Sequence, residues 1–144
     1  MTNDPAELTP FDPQILKLMI HNKMYSLALE SYKTPFTVFN PKSGLTALDV
    51  MSFNYYYGYV CTALKKYNEA IQAFRKVLIH PSSAIHRCSV NAYKKYIIVS
   101  LLAGKQADFP KKCNEQIRMV LSKAAEEYKS LEDAMMTVKI LITI

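Results

Sequence analysis

The sequence has 144 residues, half of them hydrophobic, which allows a packed core and excludes a chain that is disordered throughout. Only three glycines occur, which disfavours a turn-rich β fold and leaves an all-α fold as the expectation. The net charge of +6 is uneven, since residues 1–64 hold four lysines and five acids whereas residues 65–144 hold fourteen Lys or Arg and seven acids. Such a basic half is typical of a solvated face or, as the alternative, of an acidic or nucleic-acid partner.

The first elements predicted in chain order are a tail, two short helices and a loop. The polar residues 1–11 are predicted to form a flexible N-terminal tail. Asp12 followed by proline indicates a helix start with Asp12 as N-cap, and residues 24–32 form a second short helix. The segment 34–45 contains two prolines and a glycine and is predicted to be a loop.

Three longer helices are predicted in the middle of the chain. Thr46 and Asp49 fit a capping box that opens a helix over residues 45–65. The next helix covers residues 67–79, and a third covers residues 84–103, ending before a glycine. The third is apolar on two sides, which is typical of a helix between two neighbours.

Two more helices complete the prediction of about seven antiparallel helices over residues 12–144. Asp108 and Pro110 mark the start of one that extends to Tyr128, and Ser130 and Asp133 form a capping box for the last. The acids at residues 126–127 and 132–133 are expected early in helices or on exposed faces. The apolar end "TVKILITI" has no stop signal, so we expect the chain to continue there as part of a larger subunit or to dock on another surface.

A repeat becomes visible when the chain is aligned with itself at an offset of 42. The segment "KMYSLALESY" at residues 23–32 matches "KKYNEAIQAF" at residues 65–74. Repeats with periods of 30–50 residues indicate helical solenoids, in which each helix pair is stabilised by the next. The matched apolar pairs are Tyr25 with Tyr67, Ala28 with Ala70, Leu29 with Ile71, and Tyr32 with Phe74.

The second copy resembles a tetratricopeptide repeat (TPR). The residues that carry the resemblance are Gly58, Tyr67, Ala70, Phe74 and Pro81. The resemblance implies a right-handed TPR-like solenoid in which the small residues lie on facing helices and let the two backbones come close, while the aromatic residues wedge the pair against its neighbours. Three positions depart from the TPR pattern, which puts a TPR-type peptide clamp in question: Asn54, Val77 and the early Pro81.

The same resemblance places one stripe of the helix over residues 45–65 on the concave face of the solenoid. Its residues are Ser52, Tyr55, Tyr59 and Thr62. We predict that Tyr55 and Tyr59 contact a partner chain. The alternative is that they contact the adjacent helix of the same chain.

A wider stretch resembles one family of complex subunits. The runs "YYYGY", "TALKKYNEAI" and "AYKKYIIVSLLAGK", with Pro110 after them, resemble the subunit 3 family of the COP-9 signalosome over residues 55–117. The family is similar in build to subunits of the proteasome lid and of translation initiation factor three, which join a helical-repeat arm to a winged-helix PCI domain. The resemblance implies a non-catalytic scaffold that contacts other signalosome subunits, in a complex that removes the modifier NEDD8 from cullins. We expect this chain to hold the arm without the PCI domain.

No set of residues predicts a catalytic, cofactor-binding or metal site. His80 and His86 flank a loop and could share a metal, although loop polar residues are the plainer interpretation. Cys88 lies two residues from His86, a spacing that suits a nucleophile poorly, and no phosphate-binding glycine motif occurs. Three unpaired cysteines and no secretory signal predict reduced thiols in a cytoplasmic and nuclear protein without a membrane span.

Three other functions remain open at this point. A TPR module for acidic peptide tails, like the arm of a co-chaperone, would use basic residues on the concave face. A subunit of another PCI-family complex would share the same helical arm. A nucleic-acid binder would use the four dibasic pairs, at residues 65–66, 75–76, 94–95 and 111–112. Tyr93 and Tyr96 are interleaved with the third pair, although that pattern is expected to reflect buried tyrosines.

Overall fold

The computed structural model describes residues 9–32, 46–79, 87–110 and 115–143. Within these ranges the protein is all-α, with seven helices and no strand, which confirms the predicted fold class. No helix in these ranges combines the length and the apolar character needed to cross a bilayer. The helices are α1 (Asp12–His21), α2 (Tyr25–Ser31), α3 (Ala47–Ala63), α4 (Tyr67–Leu78), α5 (Arg87–Leu102), α6 (Glu115–Ala124) and α7 (Glu126–Thr143).

Local side-chain hydrogen bonds are present at the N-termini of α1 and α3. The predicted capping box is present, since the Thr46 hydroxyl oxygen accepts from the Asp49 N–H and the Asp49 carboxylate accepts from the Thr46 N–H. Helix α1 begins one residue earlier than predicted: Phe11 is its N-cap, and Asp12 is the first helical residue. The Asp12 carboxylate accepts instead from the N–H and the hydroxyl of Thr9, which precede the helix.

Helices α1, α3 and α5 end in the same turn. After α1 the left-handed residue is Lys23 (φ 57°), after α3 it is Lys65 (φ 61°), and after α5 it is Gly104 (φ 74°). In each turn the N–H of the following residue bonds a carbonyl five residues back, at 2.8 Å, which is the Schellman arrangement. The first two turns are 42 residues apart, which is the predicted repeat, and the third shows a further copy of the turn 39 residues later.

Each helix pair contacts only the adjacent part of the stack within the described residues. Helices α1 and α2 pack on α3, while α4 packs between α3 and α5. Helices α6 and α7 contact α5 and each other. This order is the nearest-neighbour packing expected of a helical repeat. Its right-handed sense stays a prediction.

Two clusters of buried side chains meet at α3. The smaller joins α1, α2 and α3, and the larger joins α3 to α7. The smaller cluster consists of Leu16, Ala28, Tyr32, Phe53 and Val60. Helix α3 supplies residues to both clusters: Phe53 and Val60 belong to the smaller cluster, and Met51 and Cys61 belong to the larger cluster. Different faces of α3 therefore pack on the helices before it and on the helices after it.

The C-terminal helices differ from the prediction. Helix α7 begins at Glu126, so Ser130 lies inside the helix and the predicted capping box at Ser130 and Asp133 is wrong. The start of α7 is fixed by the carbonyl of Ala125, which accepts from the N–H groups of Tyr128 and Lys129. The two glutamates of the first turn favour this start because they complement the helix dipole.

Candidate interaction surface

The small residue of the repeat is in contact with an aromatic ring of the facing helix. A methyl group at Gly58 would lie 2.7 Å from Cε1 of Phe74, so the ring occupies the space that a side chain would need. Phe74 and Ala70 are both fully buried, one turn apart on α4. The contact shown at Gly58 is with the ring of Phe74, and the close approach of Gly58 to Ala70 stays a prediction. Tyr67 packs half-buried against the same cluster, and Pro81 lies outside the described residues.

The first copy of the repeat uses a tyrosine where the second uses phenylalanine. Tyr32 is buried, its ring meets that of Phe53 edge-on at 5.2 Å, and its hydroxyl donates to Asp12 Oδ1 at 2.9 Å. Burial, with the carboxylate of Asp12 beside it, raises the pKa of Tyr32 far above its usual value. The neutral hydroxyl thus joins α2 to the start of α1, while Ala28 is buried beneath it.

The four predicted partner-contact residues on α3 separate into two groups. The ring of Tyr55 lies 6.1 Å from that of Phe74 and 5.6 Å from that of Tyr56, so it packs within its own chain. Ser52 is half-buried in the first half of α3. Tyr59 and Thr62 line an open depression near the C-terminal end of α3. The structure therefore brings two of the four together at one surface feature.

This depression, which we call the Tyr59 groove, lies between α3, α5 and the start of α2. It has a volume of about 250 Å³ and a largely apolar lining. The ring of Tyr59 is 6.4 Å from that of Tyr25, and the ammonium of Lys95 lies 5.2 Å over the Tyr59 ring. The groove is lined by Tyr25, Tyr59, Thr62, Ala63, Lys95, Ile98 and Val99.

Sequence reasoning missed the α5 side of this groove. Lys95 and Ile98 were noted only as part of a basic pair and of a second apolar face. A spacing of three residues on α5 was the available signal, because it puts a lysine and an isoleucine on one face. The adjacent Lys94 lies 5.6 Å over the ring of Tyr128 on α7, so the two lysines of the pair point to different neighbours.

The other basic pairs within the described residues differ in exposure. Lys65 and Lys66 are exposed in the turn after α3, whereas the pair on α4 at residues 75–76 is half-buried. The fourth pair, at residues 111–112, lies outside the described residues. Tyr93 and Tyr96 are buried, as expected, and are therefore not surface platforms for bases.

A buried carboxylate holds the segment that follows α5. Glu132 is fully buried, and its Oε2 accepts from the N–H of Ala107 at 2.9 Å while its Oε1 pairs with Lys129 at 3.0 Å. The Tyr96 hydroxyl donates to the carbonyl of Asp108 at 2.6 Å. The expectation that Glu132 would lie on an exposed face is wrong, because the non-helical backbone here needs an acceptor for a buried N–H.

The tyrosine beside this cluster stays neutral. Burial, and then the negative charge of Glu132, raises the pKa of Tyr93 to about 12. Its hydroxyl is buried, and the side chain of Ser122 beside it offsets part of this rise in pKa. This arrangement serves packing, because the ring of Tyr93 stacks on that of Phe109 at 4.5 Å.

The described cysteine is predicted to be unreactive. Cys61 is fully buried, and burial, with the charge of Glu69 adding to it, raises the pKa of its thiol to about 11. At pH 8 about one thiol in a thousand would be ionised even without steric protection. In a variant with serine at Cys88 and Cys113, Ellman's reagent should leave the folded protein unlabelled and react fully once urea is added. Rapid labelling of the folded variant would contradict this burial.

Metal-binding side chains do not cluster in the part of the chain that the structure describes: no three His, Cys, Asp or Glu residues come together there. The pair at His80 and His86, considered above as a possible metal site, lies outside the described residues.

Comparisons with known proteins agree on one family. Residues 1–117 match the family described as COP9 signalosome complex subunit 3, N-terminal helical repeats. The chain is 42% identical over 106 residues to COP9 signalosome complex subunit 3 of Dictyostelium discoideum, covering 72% of this chain and 25% of that protein. It is 29% identical over 103 residues to the protein of the same name from Arabidopsis thaliana, covering 69% of this chain and 22% of that protein. The chain thus spans about a quarter of the length of these relatives.

Proposed function

The chain belongs to the family of COP9 signalosome complex subunit 3, and on that premise we propose that it is a non-catalytic scaffold of the signalosome, the complex that removes NEDD8 from cullins. Residues 12–144 act as a helical-repeat arm that contacts other subunits in the cytoplasm and the nucleus. Nearest-neighbour packing supports this role, because a stack of helix pairs leaves broad faces available to other chains.

The observation that carries the proposal is the apolar surface of α6 and α7. Contiguous exposed apolar patches mark interaction sites, and Met135, Val138 and Ile142 of α7 line one depression beside the end of α5. Several large apolar side chains on α6 and α7 are close to half exposed or more. They are Met119, Val120, Leu131, Met135, Val138, Leu141 and Ile142. Packing these apolar side chains against another subunit would remove apolar surface from water, which is favourable.

Co-assembly tests the proposal directly. The chain is co-expressed with the other signalosome subunits, and the purified complex is analysed by native mass spectrometry. We expect one copy of the chain in the complex. A Val138→Glu/Leu141→Glu double variant should be largely lost from it, because two carboxylates would be desolvated at the interface. Leu18→Glu is the matched control, because Leu18 is similarly exposed, at 64%, but lies on α1, which contacts neither α6 nor α7, so incorporation should be unchanged.

Two results would contradict the proposal. If the wild-type chain stays free while the remaining subunits assemble, it is not a signalosome scaffold. If the isolated chain releases NEDD8 from a neddylated cullin, it has catalytic activity of its own. Incorporation into a proteasome-lid or initiation-factor complex instead would favour the alternative assignment to another PCI-family assembly.

A further inference from the structure

We propose that the Tyr59 groove is a docking site for a segment of another protein that presents a large apolar side chain beside a carboxylate. This inference goes beyond the scaffold role, since it concerns a different surface from that of α6 and α7. It rests on the shape and lining of the groove and on the charge around it.

The lining suits one bulky apolar side chain. Ile98 remains 37% exposed at the groove, next to the rings of Tyr25 and Tyr59. A depression of about 250 Å³ with this lining has the character of a side-chain pocket, and filling it would remove apolar surface from water.

The groove is preformed, which favours binding. Its floor includes Val99, which is buried and belongs to the larger core cluster. Its wall on α3 is fixed by the hydroxyl of Thr62, which donates to the carbonyl of Gly58 at 2.8 Å. Because these groups are held by packing and hydrogen bonding, an occupant would not bear the cost of ordering them.

The charge around the groove selects an acidic partner. None of the seven lining residues is acidic, and Lys95 pairs with no carboxylate within the described residues. The turns that follow α1 and α3 lie next to Tyr25 and Ala63 in the chain and carry further positive charge. Their exposed lysines are Lys23, Lys65 and Lys66. Complementary charge of this kind attracts a carboxylate and disfavours basic partners.

A random-peptide selection displayed on phage tests the proposal with the full 144-residue chain as bait. We expect the enriched sequences to combine a Leu, Ile, Met or Phe with an Asp or Glu a few positions away. The best peptide, synthesised with a fluorescent label, then provides an affinity by anisotropy. Replacing its acids with amides should weaken binding about tenfold, and replacing its apolar anchor with alanine should do the same.

Two variants of the chain and one matched control localise the site. Lys95→Glu reverses the charge at the groove, and Ala63→Phe fills the groove from an exposed position in the last turn of α3. Each should weaken the peptide about tenfold, whereas Lys94→Glu, the same change on the Tyr128 side of α5, should alter affinity less than twofold. Circular dichroism and the urea midpoint show that the variants remain folded.

Several outcomes would overturn the proposal. The first is that the wild-type bait enriches no peptides beyond those enriched by a bait carrying Ala63→Phe. The second is that the enriched peptides contain no acidic residue. The third is that Lys95→Glu and Lys94→Glu weaken peptide affinity equally. A labelled oligouridine that binds with the same dependence on Lys95 would assign the groove to single-stranded RNA instead. None of these results depends on co-assembly, so failure here is distinguishable from failure of the scaffold role.

Discussion

Replacing Phe74 by alanine is expected to lower the free energy of unfolding by about 3–5 kcal/mol, because a fully buried ring is removed and the cavity can close only partly. A loss of this size is a large part of the stability of a small domain, about 5–15 kcal/mol. Urea unfolding followed by circular dichroism measures it. Phe11→Ala is the matched control, since Phe11 is 73% exposed and its loss should change stability by less than about 0.5 kcal/mol.

A double-mutant cycle tests the contact between this ring and Gly58. In the wild-type background, Gly58→Ala places a methyl group 2.7 Å from the ring, and overpacking should destabilise the protein by about 1–3 kcal/mol before any gain in helix propensity. In the Phe74→Ala background the clash is absent, so the same change should stabilise the protein by about 1 kcal/mol through helix propensity alone. The sign of the effect should therefore reverse.

Additive effects of the two substitutions would contradict the contact, because residues that do not touch contribute independently. The cycle also tests the solenoid itself. The two residues lie 16 positions apart on successive helices, and they meet only if α3 and α4 pack face to face as a repeat pair.

Local chemistry explains why much of the fold could be predicted. The capping box at Thr46 depends on residues three apart, so it is readable in the sequence and present in the structure. The offset of 42 was found for the same reason, since matched apolar residues occupy matched positions on their helices. The glycine after residue 103 was recognised as the end of a helix, but its turn was not recognised as a copy of the other two. Backbone groups form this turn, and Gly104 does not resemble Lys23 or Lys65 in side chain.

The candidate site was less predictable because it joins separate helices. Tyr59 and Thr62 were identified from one helical stripe, but the partners of that stripe depend on how α5 lies across it. Tyr55 belongs to the same stripe and yet packs on Phe74, so periodicity alone does not separate an inward residue from one that lines a groove. Which of the four contacts a partner chain stays a prediction.

The buried carboxylate of Glu132 lay beyond sequence reasoning for a related reason. Glu132 and Asp133 are adjacent acids with the same local context, and only the path of residues 105–110 decides which of them is needed in the core. The non-helical segment there leaves the N–H of Ala107 without a helical acceptor, and Glu132 supplies one across 25 residues of sequence. A carboxylate is therefore retained where an apolar residue would otherwise be expected.

Replacing Glu132 by alanine is expected to lower the free energy of unfolding by about 1–3 kcal/mol, the cost of leaving the buried N–H of Ala107 unsatisfied. The lost ion pair adds little, because the side chain of Lys129 is 33% exposed and its charge is screened by water. Urea unfolding measures the global effect, and amide hydrogen exchange at Ala107 measures the local one, which should speed up more than exchange in α3.

Two further variants separate the hydrogen bond from the charge. Glu132→Gln keeps an acceptor oxygen for Ala107, so it should cost clearly less than Glu132→Ala. Asp133→Asn removes a charge from the exposed neighbouring position and should change stability by less than about 0.5 kcal/mol. Equal losses for the glutamine and alanine variants would show that the charge of Glu132, and not its acceptor oxygen, holds the segment after α5 against α7.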